Sequence, residues 1–392
     1  MTGRGQLCVM LVAAEASGDA LGASLARALK AKLGEGVRFV GIGGPKMAAM
    51  GIASPFDIAE LSVLGVFEGV MAYRRVVRRA REAAELARRE QPDVAVLIDS
   101  WGFTLRVAHR LRAALPKLPL VKYVGPQVWA SRPGRARTLA AAVDLLLTIH
   151  SFDAPYFEAA GLKTVFVGNQ ALAKDFTAAD SARLRAHIGA GADDPILLIL
   201  PGSRPSEVAR MLPVFGEAVA RLERDHPGLH LVLPVAATVA EAVKAGVAGW
   251  RSPPWLIEDD ALKDDAFVAG TVALACSGTV TTELALAGCP MVIGYRLGPM
   301  TYQVLKRLIR TPYVTLFNVA AGAEVAPELI QHACTGEALA AEVSKRLDDP
   351  AFRKRQAAAQ SAALDRMGRG LSDPSEKAAE AVLAFVKARR GA

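Results

Sequence analysis

The sequence predicts an α/β protein of two Rossmann-like domains, each built on a parallel sheet with helices on both faces. Three observations carry this reading. Continuous apolar runs of about four to six residues recur along the chain, and such runs form strands buried on both sides. Segments of helical period separate them. The chain has 392 residues, enough for two cores at roughly 100–200 residues per domain. Apolar residues make up 52% and charged residues 22%, which is globular and neither disordered nor fibrous.

In the first half, Leu7–Ala14 is the opening strand. Ser17 or Asp19 caps the following helix, whose Leu21, Leu25, Leu29 and Leu33 repeat every four residues. Arg38–Ile42 is the next strand and ends in the Gly43-Gly44-Pro45 turn. Val94–Ile98 runs into Asp99 and Leu120–Val124 into Gly125-Pro126, while Leu145–Ile149 and Thr164–Val167 complete the set. Parallel sheets bind ligands at the carboxyl ends of their strands, which here carry Glu15, Ser17, Gly43, Asp99, Gln127 and Asn169.

The second half repeats the pattern with Ile196–Leu200, Leu229–Leu233, Val272–Ala275 and Met291–Ile293. A further apolar run, TPYVTLFN, reads as a strand ending at Asn318. Ala171–Pro195, rich in Ala and Asp, reads as the linker, which gives domains of residues 1–172 and 190–349. Residues 350–392 are helical by propensity, either packing back on the first domain or joining two copies as a homodimer.

A net charge of +8 favours anionic partners: nucleotides, phospholipid surfaces or nucleic acid. Nucleic acid drops out, because no binding motif or interleaving of aromatic with basic residues is present. Cys8, Cys276, Cys289 and Cys334 form no CxxC pair and read as reduced core residues of a cytosolic protein. His226 and His230 are separated by Pro227-Gly228, which breaks any helix that would pair them on a metal. Without a Gly-x-Ser-x-Gly elbow, a lipase has no nucleophile. Leu7–Ala14 leads straight into a turn, as a first strand does and a secretory leader does not. No apolar run reaches the roughly 18–20 residues that span a bilayer.

Two turns are suited to an anion. Ser277-Gly278-Thr279 joins a buried strand to a helix, so backbone N–H groups and the positive helix end face whatever lies above. Glu283, about one helical turn on, can accept hydrogen bonds from a diol such as a ribose. Pro201-Gly202-Ser203-Arg204 follows another strand: Gly202 permits close backbone approach, Ser203 offers a hydroxyl, and Arg204 a fork matched to phosphate oxygens. Asn318 adds an amide. The bland alternative is a pair of solvated turns on an α/β core.

Taken together, these segments resemble the lipid-A-disaccharide synthase family. The matching stretches are AAEASGDALGASL from Ala13, GIGGPKMAAMGI from Gly41, LSVLGVFEGV from Leu61, LIDSWGF from Leu97, YVGPQVWASRPGR from Tyr123, LLILPGSRPSEV from Leu197, Ser277–Arg296, and VTLFNVAAGAEVAPELIQ from Val314. They occur in the family's order over nearly the whole chain. The resemblance implies a GT-B glycosyltransferase, two Rossmann-like domains facing a cleft, that needs no metal or other cofactor. It would transfer from UDP-2,3-diacylglucosamine to 2,3-diacylglucosamine 1-phosphate with inversion and release of UDP. The second domain would bind UDP through Gly202, Ser203, Arg204, Ser277, Gly278, Thr279, Glu283 and Asn318. Ser17, Gly18, Asp19, Gln127 and Trp129 would face the acceptor sugar.

Transfer to a sugar hydroxyl needs a general base. Asp99 is the first candidate and Glu15 the second; each could instead cap a helix. The family often has a second acid where this chain reads Ser100-Trp101-Gly102 after Asp99. Together with Gln127, Asn169 and Phe317, this marks a divergent branch. Other GT-B enzymes acting on UDP-N-acetylglucosamine-type donors, an epimerase or the peptidoglycan-lipid transferase, are the alternative. The latter family opens on a Gly-Gly-x-Gly-Gly-His loop where this chain has Glu15-Ala16-Ser17-Gly18-Asp19.

A lipid substrate has to be reached. Val66, Phe67, Val70 and Met71 lie in an apolar stretch followed at once by Arg74, Arg75 and Arg78. That pattern fits a helix lying on the cytoplasmic face of the inner membrane, with an ordinary core-facing helix as the alternative.

Overall fold

The computed structural model describes residues 6–61 and 69–391. The chain divides into two compact units: unit 1 is Met1–Gln170 with Leu371–Ala392, and unit 2 is Ala171–Gly370.

Each unit holds a six-stranded parallel sheet. Unit 1 contains β1 (Leu7–Val12), β2 (Val37–Ile42), β3 (Val94–Ile98), β4 (Leu120–Tyr123), β5 (Leu145–Thr148) and β6 (Thr164–Phe166), in the order β2-β1-β3-β4-β5-β6. Unit 2 contains β7 (Ile196–Leu200), β8 (His230–Pro234), β9 (Trp255–Ile257), β10 (Val272–Ala275), β11 (Met291–Tyr295) and β12 (Glu328–Ile330), in the order β12-β11-β10-β7-β8-β9.

Every residue of β1, β3, β7 and β10 is buried, so helices must cover both faces. Alternation along the strands supplies two cores per unit. In unit 1, Met10, Val12 and Leu97 pack with Ala80, Ala83 and Phe103, while Val9, Leu11 and Val96 pack with Leu25, Leu29 and Val382. In unit 2, Leu197 and Ile199 pack with Met211 and Phe215, and Leu198 and Leu200 with Phe267, Leu284 and Leu364.

The longer strands fall where the apolar runs predict, to within a residue or two. Three segments differ. Residues 171–195 belong to unit 2 and contain the helix Ser181–Ile188, whose Leu184 and Ile188 are buried in the unit 2 core. Residues 350–392 form two helices in different units: Pro350–Arg366 packs Ala363 and Leu364 into unit 2, and Pro374–Gly391 packs Ala378, Val382 and Phe385 into unit 1. The TPYVTLFN run is not a strand. It enters the short helix Leu316–Ala321, and the sheet edge is instead β12.

Asp19 is also corrected. It lies inside the helix Ala16–Leu33, and neither it nor Ser17 is the N-cap, which is Glu15. Its buried carboxylate accepts from Gly44 N (2.8 Å) and Met47 N (3.0 Å) on one oxygen and Lys46 N (2.9 Å) on the other. It therefore ties the first helix to the turn after β2 and is buried there, not presented at the surface to a sugar. Asp19→Ala strands three backbone donors and should lower the stability of unit 1 by about 2–3 kcal/mol. Urea unfolding would measure this, and a loss below about 0.5 kcal/mol would show the carboxylate to be dispensable.

Candidate active site

In unit 2 the strand order reverses between β7 and β10. The helix after β7, Pro205–Asp225, covers one face of the sheet, and the helix after β10, Thr279–Leu286, covers the other. Loops leaving in opposite directions open a crevice above the carboxyl ends. A cavity of about 370 Å³ fills it, lined by Gly202, Ser203 and Arg204 on one side and Ser277, Gly278, Thr279 and Glu283 on the other. Pro234–Ala236, Lys263 and Phe267 close the end nearest β8.

The two turns present different donors. The N-cap of Thr279–Leu286 is Gly278, which has no side chain to cap it, so among the described residues the N–H groups of Thr279 and Val280 remain available at the cavity wall. The other turn is closed on itself. Ser203 N and Arg204 N both donate to Glu207 Oε2 (3.2 and 3.3 Å), and Arg204 Nη1 donates to Glu207 Oε1 (2.8 Å). Gly202 has φ +115°, and a Cβ there would stand 2.6 Å from that of Glu207. The Glu207 carboxylate thus takes the backbone donors expected to serve an anion. The Arg204 guanidinium, 76% exposed, is the group that reaches beyond the turn.

Glu283 lines the cavity, and its Oε1 accepts from Lys174 Nζ (3.2 Å), which also pairs with Asp264 (2.7 Å). Burial opposes the Lys174 charge, but the two carboxylates hold its pKa above the ordinary lysine value. Neither Lys174 nor Lys263 was singled out from the sequence. Lys174 stands between Ala173 and Asp175 and Lys263 between Leu262 and Asp264, neither in a motif.

Asn318 does not reach the cavity wall. It is fully buried in Leu316–Ala321, donating to Ala326 O and Glu328 Oε1 and accepting from Val325 N and Ala326 N. Both amide hydrogens and both acceptor positions are used, so it braces the loop before β12. Its side chain thus holds this loop and does not line the cavity where the UDP contact was expected.

Unit 1 has its own reversal, between β1 and β3, and it brings two predicted residues together. Ser17 Oγ, after β1, donates to Asp99 Oδ2, after β3, at 3.3 Å. Glu15 is exposed at the same turn, and its side chain makes no capping bond. Asp99 and Ser100 adopt left-handed backbone, with φ +48° and +39°, which costs roughly 1–2 kcal/mol per non-glycine residue. A buried clamp holds them there. Thr104 Oγ1 donates to the carbonyls of Asp99 (2.8 Å) and Ser100 (3.0 Å). Lys122 Nζ, on β4, donates to Thr104 Oγ1 (2.8 Å) and to the Asp99 carbonyl.

Lys122 is 2% exposed and was missed in the sequence, where it interrupts an apolar run like any strand-edge lysine. Burial drives its pKa from 10.5 down to about 7, against the pull of the Asp99 and Glu15 carboxylates.

The other predicted residues are placed as follows. Gly18 packs where a Cβ would stand 3.3 Å from Ala13 Cβ and 3.6 Å from the Ile98 carbonyl oxygen. Trp129 is buried, packed edge-on against His150 and Phe152, so its ring is not a platform for a sugar. Gln127 is exposed. Val66 and Phe67 lie outside the described residues, as do the side chains of Val70 and Met71. Arg74, Arg75 and Arg78 are exposed on the helix Gly69–Glu90. Among the described residues no helix is long and apolar enough to cross a membrane, and no His, Cys, Asp and Glu side chains gather as metal ligands.

Two Rossmann-like units, each with a reversal in its parallel sheet, define a GT-B glycosyltransferase fold. Solved structures agree: the chain aligns with a UDP-N-acetylglucosamine 2-epimerase described as putative from Listeria monocytogenes (TM-score 0.63, 16% identity, 98% of this chain and 97% of that one). It aligns also with the MnaA–UDP co-structure of S. aureus (TM-score 0.60, 14% identity, 97% and 96%). Within that fold the chain belongs to the lipid-A-disaccharide synthase family, whose model, described as lipid-A-disaccharide synthetase, matches residues 9–382. It is 41% identical to the lipid-A-disaccharide synthase of Rhodospirillum centenum over 383 residues, covering 98% of this chain and 96% of the relative. It is 42% identical to that of Ruegeria pomeroyi over 384 residues, covering 96% and 94%.

The Lys122 shift has a measurable consequence. From about pH 7 to 10.5 the unfolded chain keeps a proton that the folded chain has released. Stability therefore rises with pH across that window, and the burial penalty is in full force below it. Lys122→Met removes this slope. Unfolding at pH 7 and pH 10 should show the difference between variant and wild type moving in favour of wild type as pH rises; a difference independent of pH would contradict the depressed pKa.

Proposed function

We propose that the chain joins UDP-2,3-diacylglucosamine to 2,3-diacylglucosamine 1-phosphate, giving a β(1→6)-linked lipid A disaccharide 1-phosphate and UDP. The observation that supports it most is the family match over nearly the whole chain, with the matched motifs falling at both sheet reversals. The named relatives are disaccharide synthases, which disfavours an epimerase or a peptidoglycan-lipid transferase.

Unit 2 binds the UDP part. The uncapped helix Thr279–Leu286 and the Arg204 guanidinium neutralise the diphosphate as it leaves. Glu283, oriented by Lys174, accepts from the ribose hydroxyls. Unit 1 supplies the base. As the acceptor 6-hydroxyl oxygen bonds to the donor anomeric carbon, its proton passes to the Asp99 carboxylate and the bond from that carbon to the diphosphate oxygen breaks. Attack from the opposite side inverts the centre. Ser17 fixes the rotamer of Asp99, and Glu15 orients the sugar.

The substrates are lipids, and Arg74, Arg75 and Arg78 stand ready for anionic head groups beside the apolar stretch at 61–73. The chain works as a peripheral protein on the cytoplasmic face of the inner membrane.

Asp99→Asn should lower turnover with both lipid substrates by about 100-fold or more while UDP affinity is kept; near-normal turnover would remove Asp99 as the base. Changing Arg74, Arg75 and Arg78 together to Glu should weaken cosedimentation with vesicles containing anionic lipid at least several-fold at about 0.1 M salt. Unaltered sedimentation would return this helix to a purely structural role.

A further inference from the structure

The proposed reaction involves two anionic groups, the donor diphosphate and the acceptor phosphate. The cavity between β7 and β10 accounts for the first. A second concavity, of about 460 Å³, lies at the carboxyl ends of β11 and β12. Arg296 and Leu297 follow β11 directly, and Gln331 and His332 follow β12. Arg210, from the helix after β7, and Tyr302 complete the lining. Among the described residues no acidic side chain lines it. Among the described residues neither guanidinium has a carboxylate partner.

The walls are held in place. Arg296 Nη2 donates to the Cys334 carbonyl (2.5 Å) and Arg296 N contacts Met211 Sδ (3.2 Å). This fixes one edge of the guanidinium and leaves its remaining N–H groups for another acceptor. Gln331, in left-handed backbone at φ +56°, accepts from Leu297 N (2.9 Å) and joins the two loops. Lys306 lies over the Tyr302 ring at 6.0 Å and adds a third cation nearby. Gly298 lies beside Arg210, whose Nη2 would be 3.7 Å from a Cβ there, an ordinary contact.

Strand order gives the pocket its direction. Along β8-β7-β10-β11, the cavity end at Pro234–Ala236 comes first, the two anion-oriented turns next, and Arg296 last. A nucleoside diphosphate with its base beside Pro234–Ala236 would point its diphosphate toward Arg296 without needing it. We propose that Arg210, Arg296 and His332 form a separate site for a phosphomonoester, the 1-phosphate of the acceptor sugar. Two guanidiniums and an imidazole match the charge and the several acceptor oxygens of such a group. The assignment of the ligand to the acceptor rests on the transfer reaction proposed above; the site itself does not.

The test separates the two. Glucose 1-phosphate is titrated by calorimetry into the full chain saturated with UDP, with glucose as the control. Wild type should bind the phosphate ester and not glucose. Arg210→Gln, a change at an exposed position that folding tolerates, and Arg296→Gln should each weaken binding at least tenfold with UDP affinity unchanged. With lipid substrates, both variants should raise KM for the phosphorylated acceptor at least tenfold, leave kcat within about threefold, and leave the dephosphorylated acceptor unaffected. No binding by wild type, or a loss of UDP affinity in the variants, would overturn the separate site. Reduced binding to phosphatidic acid vesicles with KM for the acceptor unmoved would overturn the acceptor in favour of a membrane headgroup. Failure of wild type to form any disaccharide would sink the transfer reaction, and calorimetry would still judge the pocket.

Discussion

The reversal of strand order inside each parallel sheet is the constraint on which the rest depends. Where β7 meets β10, and again where β1 meets β3, successive helices leave on opposite faces. The loops above cannot pack on one another, so the backbone there is left without the usual neighbours. Each local peculiarity of the candidate site answers that lack. Gly202 turns left-handed over Glu207, Asp99 and Ser100 are forced left-handed after β3, and the helix at Thr279 begins uncapped.

The two reversals are furnished differently. That of unit 2 sets Arg204, Lys263 and helix N–H groups, suited to a leaving diphosphate, beside Glu207 and Glu283. That of unit 1 presents Glu15 and Asp99, suited to taking a proton. In both, a further charged residue disciplines the first: Glu207 fixes the Arg204 turn, Lys174 holds Glu283, and Lys122 with Thr104 pins the Asp99 turn from beneath. Preorganisation of this kind matters because a base misplaced by about an ångström loses much of its advantage.

The positions of the longer strands were legible because buried parallel strands leave uninterrupted apolar runs, as Val94–Ile98 and Ile196–Leu200 do. β9 and β12 were not, since a three-residue edge strand half open to solvent has no such run. The positions of Asp99, Ser203, Arg204 and Glu283 in the loops after β3, β7 and β10 were legible because each follows directly on such a run or lies within about two turns of it. Asp19 and Asn318 were misread: both are polar residues in motif positions, but their hydrogen bonds run to distant backbone at Gly44–Met47 and Val325–Ala326. Lys122 was invisible because its role depends on Thr104 and Asp99, brought to it only by the pairing of β3 with β4. The apparent linker at 171–195 was misjudged because Leu184 and Ile188 share one helical face that the Ala and Asp around them obscure.

The central claim is that the reversal of unit 2 holds the UDP part of the donor, with Asp99 of unit 1 left for the acceptor proton. Amide hydrogen exchange with and without saturating UDP tests it most directly. The expected result is protection concentrated in residues 201–207 and 277–284, with residues 15–19 and 97–104 unchanged. Protection confined to residues 15–19 and 97–104, with none at 277–284, would contradict it.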